Sequence, residues 1–370
     1  MRLQQPQMQP ALVAAALSEW REQLRSAVSS VAQLADYAFY KSLPPAELAS
    51  VERRFRVLVP PYYLSLIQKD DPLDPIAKMA FPTLEEESAP RGNSLKDPIG
   101  DLAKQVAPRL THRYPDRALL HTTNLCPMYC RFCFRKNLMN ERQEELYVGD
   151  FEEAFAYLEK HSEIQEIIFT GGDPWMLSDQ RLSALLHELL KRAPSIRRLR
   201  FHTRMPVTLP MRVTDGLMEV LRLPVTTYVV THFNHPRELS GAAREALAKL
   251  RKNGIVVLNQ SVLLKGVNDS LDCLVSLFRG LGDAGVIPYY LHHCDLVEGA
   301  EHFRTTVEEG RELWSQLRGK LSGYLIPEYI LDRPGGLGKI PLGDSPLHNS
   351  DQGHWISGEF VYADPLRFDV

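Results

Sequence analysis

Ala118-Leu-Leu-His-Thr-Thr-Asn-Leu-Cys126-Pro-Met-Tyr-Cys130-Arg-Phe-Cys133-Phe-Arg135 joins a short apolar run to three cysteines spaced C-x3-C-x2-C. The run Ala118 to Thr122 is predicted as a strand, and the cysteines follow where that strand leaves its sheet. The same grammar repeats along the chain. Ile164 to Thr170, Ile196 to Thr203, Val225 to His232, Ile255 to Val262 and Val286 to Cys294 are further apolar runs. The stretches FEEAFAYLEKH, DQRLSALLHELLKR, TDGLMEVLR, GAAREALAKLRKNG and SLDCLVSLFRGLGDAG between them show helical spacing. Strands alternating with helices predict an α/β protein with a parallel sheet, either an open doubly wound sheet or a complete or partial barrel. A seventh run, Tyr324 to Leu331, follows the helical TVEEGRELWSQLRGKL, and the chain ends in an irregular or β-containing tail.

Parallel strands all point one way, so residues at their carboxyl ends gather on one rim, where barrel enzymes place their chemistry. Gly171-Gly172-Asp173 follows the second run, Thr203-Arg204 ends the third, His232 ends the fourth, Gln260 falls late in the fifth and Cys294-Asp295 ends the sixth. Before the first run, amphipathic patterns from about Pro10 to Val57 predict a helical preface. The Pro- and Asp-rich stretch from Asp70 to Asn93 reads as a wrapping loop with at most a short helix. The expected division is a helical extension and loop over 1–96, a barrel over 97–323 and a C-terminal segment over 324–370.

The chain of 370 residues carries a formal charge of -3, with 44% hydrophobic and 24% charged residues, which leaves no electrostatic footprint for nucleic acid. The N-terminal stretch lacks the pattern of a signal peptide, and no run is long enough to span a membrane, so a cytoplasmic protein is expected. Five cysteines is an odd count, and Cys273 and Cys294 lie far from the triad, which disfavours a disulfide framework. Three clustered thiolates suggest metal. Four would close a zinc tetrahedron or complete a cubane, whereas three leave one iron of a [4Fe–4S] cluster open to another ligand. The alternative is a structural zinc completed by His121 or a distant cysteine. The unpaired triad, the adjacent Phe132 and the strand-exit position weigh against it.

Pro334-Gly-Gly-Leu-Gly-Lys339 has the look of a phosphate loop, but Arg333 stands where its first Gly belongs and Ile340 replaces the magnesium-binding Ser or Thr. A lysine delivered by a mobile loop to a carbonyl cofactor is the chemical alternative. His292, His293 and Cys294 do not form a joint metal site, because alternation sends His293 to the opposite side.

LTHRYPDRALL, C-x3-C-x2-C followed by Phe134-Arg135, FTGGDP, THFNHP, LNQSVLLKGVND, PYYLHHCD, EHFRT and LDRPGGLGK together resemble the lysine 2,3-aminomutase family, over roughly Asp97 to Pro341. These are radical S-adenosylmethionine (SAM) enzymes that also use pyridoxal 5′-phosphate (PLP). The resemblance implies an open or partial (β/α)6-type barrel, with the helical N-terminal extension and irregular C-terminal segment, and an isomerase that moves an amino group between carbons 2 and 3 of lysine. It implies that Cys126, Cys130 and Cys133 hold a [4Fe–4S] cluster whose open iron takes SAM. Gly171, Gly172 and Asp173 would meet the methionine end of SAM, with Arg204, His232 and Gln260 as neighbours. Lys339 would carry PLP, and Arg113 and Arg117 would hold its phosphate. Arg135 would pair with the substrate carboxylate, and Asp295 and Asp332 would flank its distant ammonium.

The resemblance also implies a flavodoxin- or ferredoxin-like electron donor and a homo-oligomer. Arginine and glutamate are the neighbouring substrates, a second branch makes β-lysine for elongation factor P, and a non-catalytic iron–sulfur or zinc protein is the alternative outside enzymes. Clostridial-type members carry a cysteine after GVND and a terminal cysteine cluster that build an intersubunit zinc site. Here Ser270 follows GVND and no cysteine occurs after Cys294, so zinc is not expected.

Overall fold

The computed structural model describes residues 20–41, 45–87, 94–139, 145–147, 149–343, 348–349, 354–357 and 360–363. Ten strands form one sheet in chain order: β1 (Gln105–Ala107), β2 (Leu110–Tyr114), β3 (Arg117–Thr123), β4 (Glu166–Gly171), β5 (Arg198–His202), β6 (Thr226–Thr231), β7 (Val256–Leu263), β8 (Ile287–His293), β9 (Glu328–Arg333) and β10 (Gly338–Pro341). From β3 to β9 all neighbours are parallel. β1 and β2 lead in, and β10 closes, as antiparallel strands. The helices Glu152–Lys160, Asp179–Arg192, Asp215–Val220, Gly241–Lys252, Leu271–Asp283 and Val307–Leu317 make the six crossovers. A sheet wound in one direction with strictly sequential order is a partial barrel.

Period-two alternation explains which side of each strand faces where. On β4 and β5, Ile167, Phe169, Leu199 and Phe201 are fully buried, while Ile168, Thr170, Arg198, Arg200 and His202 line an internal cavity. A parallel sheet covered on both faces would read as a continuous apolar run. Here the concave face is polar because it encloses a site. Five of the six crossover helices start on side-chain caps, with Ser178, Thr214, Ser240, Ser270 and Thr306 each accepting from a backbone N–H of the first turn. Ser270, which follows GVND, therefore has a structural use as a helix cap.

Several expectations shift in detail. Among the described residues the N-terminal preface holds helices at Trp20–Arg25 and Pro45–Arg54, but short 3-10 turns between them. Ser30 and Gln33 form a capping box there, and serine competes with a continuing helix by bonding to nearby backbone. Residues 1–19 of the expected preface lie outside the described residues. The Asp70–Asn93 stretch contains a helix at Pro75–Ala80 and a 3-10 turn at Leu84–Glu87. Lys339 sits on β10 rather than on a mobile loop. The sheet continues through β9 and β10 across the expected boundary at 323, and the tail adds a small antiparallel sheet of His348–Asn349, His354–Ser357 and Phe360–Ala363.

The two ends of the large sheet approach through glycine. A Cβ on Gly100 would lie 2.5 Å from the Gly336 nitrogen, and both residues have positive φ. This contact brings the lead-in turn against the hairpin that carries Lys339. No helix among the described residues is long and apolar enough to cross a membrane.

Candidate active site

A cavity of about 620 Å³ occupies the concave side of the sheet. Cys126, Cys130, Cys133, Arg113, Arg117, Arg135, Gly171, Gly172, Asp173, Arg204, His232, Gln260, Asp295, Asp332 and Lys339 all line it. The sequence-predicted residues are therefore brought together, although they come from eight separate strand ends or turns.

The cysteine loop is anchored from outside the barrel. Tyr129 and Arg131 donate backbone N–H bonds to Leu58 and Met79 of the N-terminal extension. Beneath the loop, Glu86 accepts from Arg131 at 2.6 and 3.0 Å and from Lys136 at 2.6 Å. Burial opposes ionisation of Glu86, but the two cations overcome it and hold its carboxyl at about 2. The three cysteines also touch a second cavity of about 50 Å³ behind the loop. Burial and the neighbouring charges of Asp173, Cys133 and Cys130 raise the Cys126 thiol, and burial with Cys130 raises Cys133 to about 11. Thiols whose anions repel one another on one loop fit a cationic metal core. No three His, Cys, Asp or Glu side chains are drawn around a single ion among the described residues; a cubane, with each cysteine on a different iron, does not require that arrangement.

Gly171 and Gly172 are required by the cysteine loop itself. A Cβ on Gly171 would lie 2.6 Å from the Thr123 carbonyl, one on Gly172 would collide with Leu125, and Asp173 N–H donates to the Leu125 carbonyl at 2.8 Å. The Asp173 carboxylate is engaged inside the protein, accepting from Thr203 Oγ1, from the Arg204 backbone N–H at 2.8 Å and from the Trp175 N–H. These bonds join the exits of β4 and β5, and burial raises the carboxyl to about 6. Arg204 then reaches Cys130 Sγ with Nη1 at 2.8 Å and Glu238 with Nη2 at 2.5 Å. Glu238, fully buried and also bonded to the Tyr63 hydroxyl at 2.7 Å, was not singled out from sequence. Gln260 and His232 touch at 3.1 Å, and burial depresses the His232 imidazole to about 3, keeping it neutral.

On the hairpin side, Lys339 Nζ donates to both oxygens of Asp332 at 2.8 and 2.7 Å. Asp295 Oδ1 is buried, with no hydrogen-bond partner among the described residues. Burial and the charge of Asp332 push the Asp295 carboxyl up to about 7, with Lys339 and Arg135 opposing. Arg135 donates from Nε to Asp101 at 2.8 Å and from Nη1 to Thr170 at 2.8 Å, and no bond from Nη2 is seen among the described residues. Arg113 lies 3.6 Å from the same Asp101 and donates to the Ile99 carbonyl. Asp101, fully buried, thus orients two expected ligand-binding arginines. Asp101 was not singled out from the sequence. Arg117, paired with the adjacent Asp116 at 2.7 Å, stands in register with Glu166 and Arg198 at the amino end of the cavity. An amine and two arginines lining the same cavity fit a phosphorylated aldehyde; the cysteine rim fits a cluster.

Residues 120–272 match the profile of the Radical SAM superfamily. The L-lysine 2,3-aminomutase of Clostridium subterminale is 37% identical over 356 residues, covering 95% of this chain and 85% of that protein. The chain belongs to the lysine 2,3-aminomutase family of radical SAM proteins. The L-lysine 2,3-aminomutase of Escherichia coli (strain K12) is 38% identical over 294 residues, covering 79% of this chain and 85% of that protein. The glutamate 2,3-aminomutase of Clostridioides difficile (strain 630) is 35% identical over 328 residues, covering 88% of this chain and 76% of that protein. This radical SAM aminomutase is thus an isomerase acting on an amino acid, and superfamily membership implies a [4Fe–4S] cluster and SAM.

Proposed function

We propose that this aminomutase interconverts L-lysine and β-lysine, with the cluster on Cys126, Cys130 and Cys133 and PLP on Lys339. The observation that carries the choice of lysine is the pair of carboxylates beside Lys339. Asp295, lacking a partner at Oδ1, has unmet capacity for a cation in a buried setting. A glutamate side chain would bring a second anion toward Asp295 and Asp332, and like charges in a desolvated cavity are strongly disfavoured.

When bound, SAM on the reduced cluster supplies a carbon-centred radical and PLP supplies the conjugation that lets nitrogen migrate. The chain's residues bind and orient. Arg135, steered by Asp101 and Thr170, offers Nη2 to the substrate carboxylate. Arg113 and Arg117 offer guanidiniums to the phosphate. Gly171 and Gly172 keep the β4 exit against the cysteine loop, where side chains would separate them. His232 and Gln260 supply neutral donors and acceptors suited to sugar hydroxyls and a sulfonium's polar substituents. An external one-electron donor of the flavodoxin or ferredoxin kind fits this reading.

The test is an anaerobic assay with SAM, PLP, reductant and a panel of amino acids. Turnover of L-lysine to β-lysine is expected; turnover of glutamate with none of lysine would overturn the roles given to Asp295 and Asp332. Independently, borohydride treatment of the PLP-loaded protein should leave a pyridoxyl group on the Lys339 peptide, read by mass spectrometry. Its absence would end the assignment of Lys339.

A further inference from the structure

Each of the three cysteine sulfurs meets a hydrogen-bond donor, and one donor differs in kind. Cys126 Sγ takes a backbone N–H from Asp173, and Cys133 Sγ takes one from Arg135. Cys130 Sγ instead meets Nη1 of Arg204, a full positive charge, at 2.8 Å. The guanidinium is held there from several directions. Its Nε donates to the His232 carbonyl at 3.2 Å, and its Nη2 donates to Glu238 at 2.5 Å and to the Tyr63 hydroxyl at 3.3 Å. Its central carbon lies 5.1 Å from the centre of the Phe132 ring. Glu238 is itself fixed to the turn after β6, where it accepts from the backbone N–H groups of Asn234 and His235. With all three nitrogens engaged, the guanidinium cannot swing away from the sulfur. Both charges are buried, so water screens them poorly.

We infer that Arg204 sets the reduction potential of the cluster through the Cys130 sulfur, and that Glu238 is the positioning residue that holds Arg204 there and moderates its charge. The inference rests on the proposed seat of the cluster on the three cysteines. The step concerned is the addition of one electron to the cluster from an external one-electron donor, with no bond made or broken and no proton moved. A hydrogen bond and a positive charge at a ligand sulfur favour the more negative, reduced form, so the Arg204 contact raises the potential. The backbone donors to Cys126 and Cys133 act in the same sense, but a charged donor is roughly twice as strong as a neutral one. Glu238 acts with the opposite sign, because its carboxylate sits on the adjacent nitrogen of the same guanidinium and cancels part of its field at the sulfur. The two residues therefore predict shifts in opposite directions, which a contact that served only to hold the fold together would not.

The potential can be read without turnover. Full-length protein is reconstituted anaerobically with iron and sulfide, in the absence of SAM, PLP and amino acid. The midpoint of the cluster is then measured by mediated redox titration, followed by absorbance and by the electron paramagnetic resonance of the reduced cluster. Arg204→Gln should make reduction about tenfold less favourable or more, a fall of about 59 mV for one electron. Arg204→Lys, which keeps the charge, should fall less than Arg204→Gln. Glu238→Gln, which keeps an acceptor for Nη2 but removes the negative charge, should shift the midpoint upward. A midpoint unchanged in Arg204→Gln, equal in Arg204→Lys and Arg204→Gln, or unchanged or lowered in Glu238→Gln, would overturn the inference. A role for Arg204 confined to SAM would leave this SAM-free midpoint where it is in the wild type. Should Arg204→Gln take up no cluster, the direction of the shift in Glu238→Gln decides alone. Wild-type protein that takes up no cluster would sink the proposed seat of the cluster itself and is thereby distinguishable from failure of this inference.

Discussion

The ion cluster beneath the cysteine loop and the one beside Lys339 use the same residue types in opposite ways. Around Glu86, every charge is met: Arg131 and Lys136 converge on one carboxylate, and the Lys136 ammonium also donates to the carbonyls of Arg131 and Gly299 at 3.0 and 2.7 Å. Around Lys339 the count is uneven, with two carboxylates and one ammonium, and the surplus falls on Asp295. The first arrangement leaves nothing for a ligand and locks the extension to the loop. The second stays incomplete until a cation arrives. A saturated buried charge cluster reads as architecture, and an unsaturated one lining a cavity reads as a site.

The comparison breaks most visibly at Glu86. Glu86→Ala leaves two buried cations without a counter-ion, and a loss of roughly 3–5 kcal/mol is expected in denaturant unfolding. The wild type should show a matching acid limb. The Glu86 pKa is depressed in the folded state, so its contribution is present above about 4.5 and is lost as pH falls toward about 2. An unfolding free energy unchanged by the substitution would show that the cluster is not structural.

Asp295 should behave with the opposite sign. Its folded-state pKa is raised, so the fold carries a penalty that grows as pH rises from about 4 to about 7. Asp295→Asn should therefore raise the stability of cofactor-free protein by roughly 1–2 kcal/mol at pH 8. That gain should vanish below pH 4, where the carboxyl is protonated in both states. Thermal melts across this range check it. A loss of stability at pH 8 would mean that Asp295 has a partner in solution.

Much of this organisation is legible in the sequence because parallel strands impose it. The apolar runs locate β3 to β9 within a few residues, and a common strand direction gathers the cysteines, Arg204, His232, Gln260 and Asp295 on one cavity. What escaped has a physical reason. Asp101 sits in DPIGDLAK, a stretch without periodicity, and acquires its role through the approach of Gly100 to Gly336, far along the chain. Glu238 lies one turn past a strand end and gains meaning only through Arg204 and Tyr63. The Pro334–Gly338 stretch reads as a loop because glycine and proline punctuate it, yet antiparallel pairing with β9 makes Lys339 a strand residue. The bonds from the Asp173 carboxylate to the β5 exit, beside its place on the cavity, could not be read from the sequence either.

The smallest expected effect follows from the same surplus charge. On the proposed reading Asp295 must be ionised to hold a substrate ammonium, and its carboxyl is held up near 7 by burial and Asp332, against Lys339 and Arg135. The nearby Asp101 carboxylate adds to the upward push. Lysine KM should therefore fall about tenfold between pH 6 and pH 8, the change expected for one group titrating near 7. Asp332 does not contribute to this limb, because its carboxyl stays ionised throughout. Asp295→Asn should flatten the profile while raising KM at every pH. A limb that persists in Asp295→Asn would move the titration to another group, and a limb of reversed sign would exclude an ionised Asp295 from binding the substrate cation.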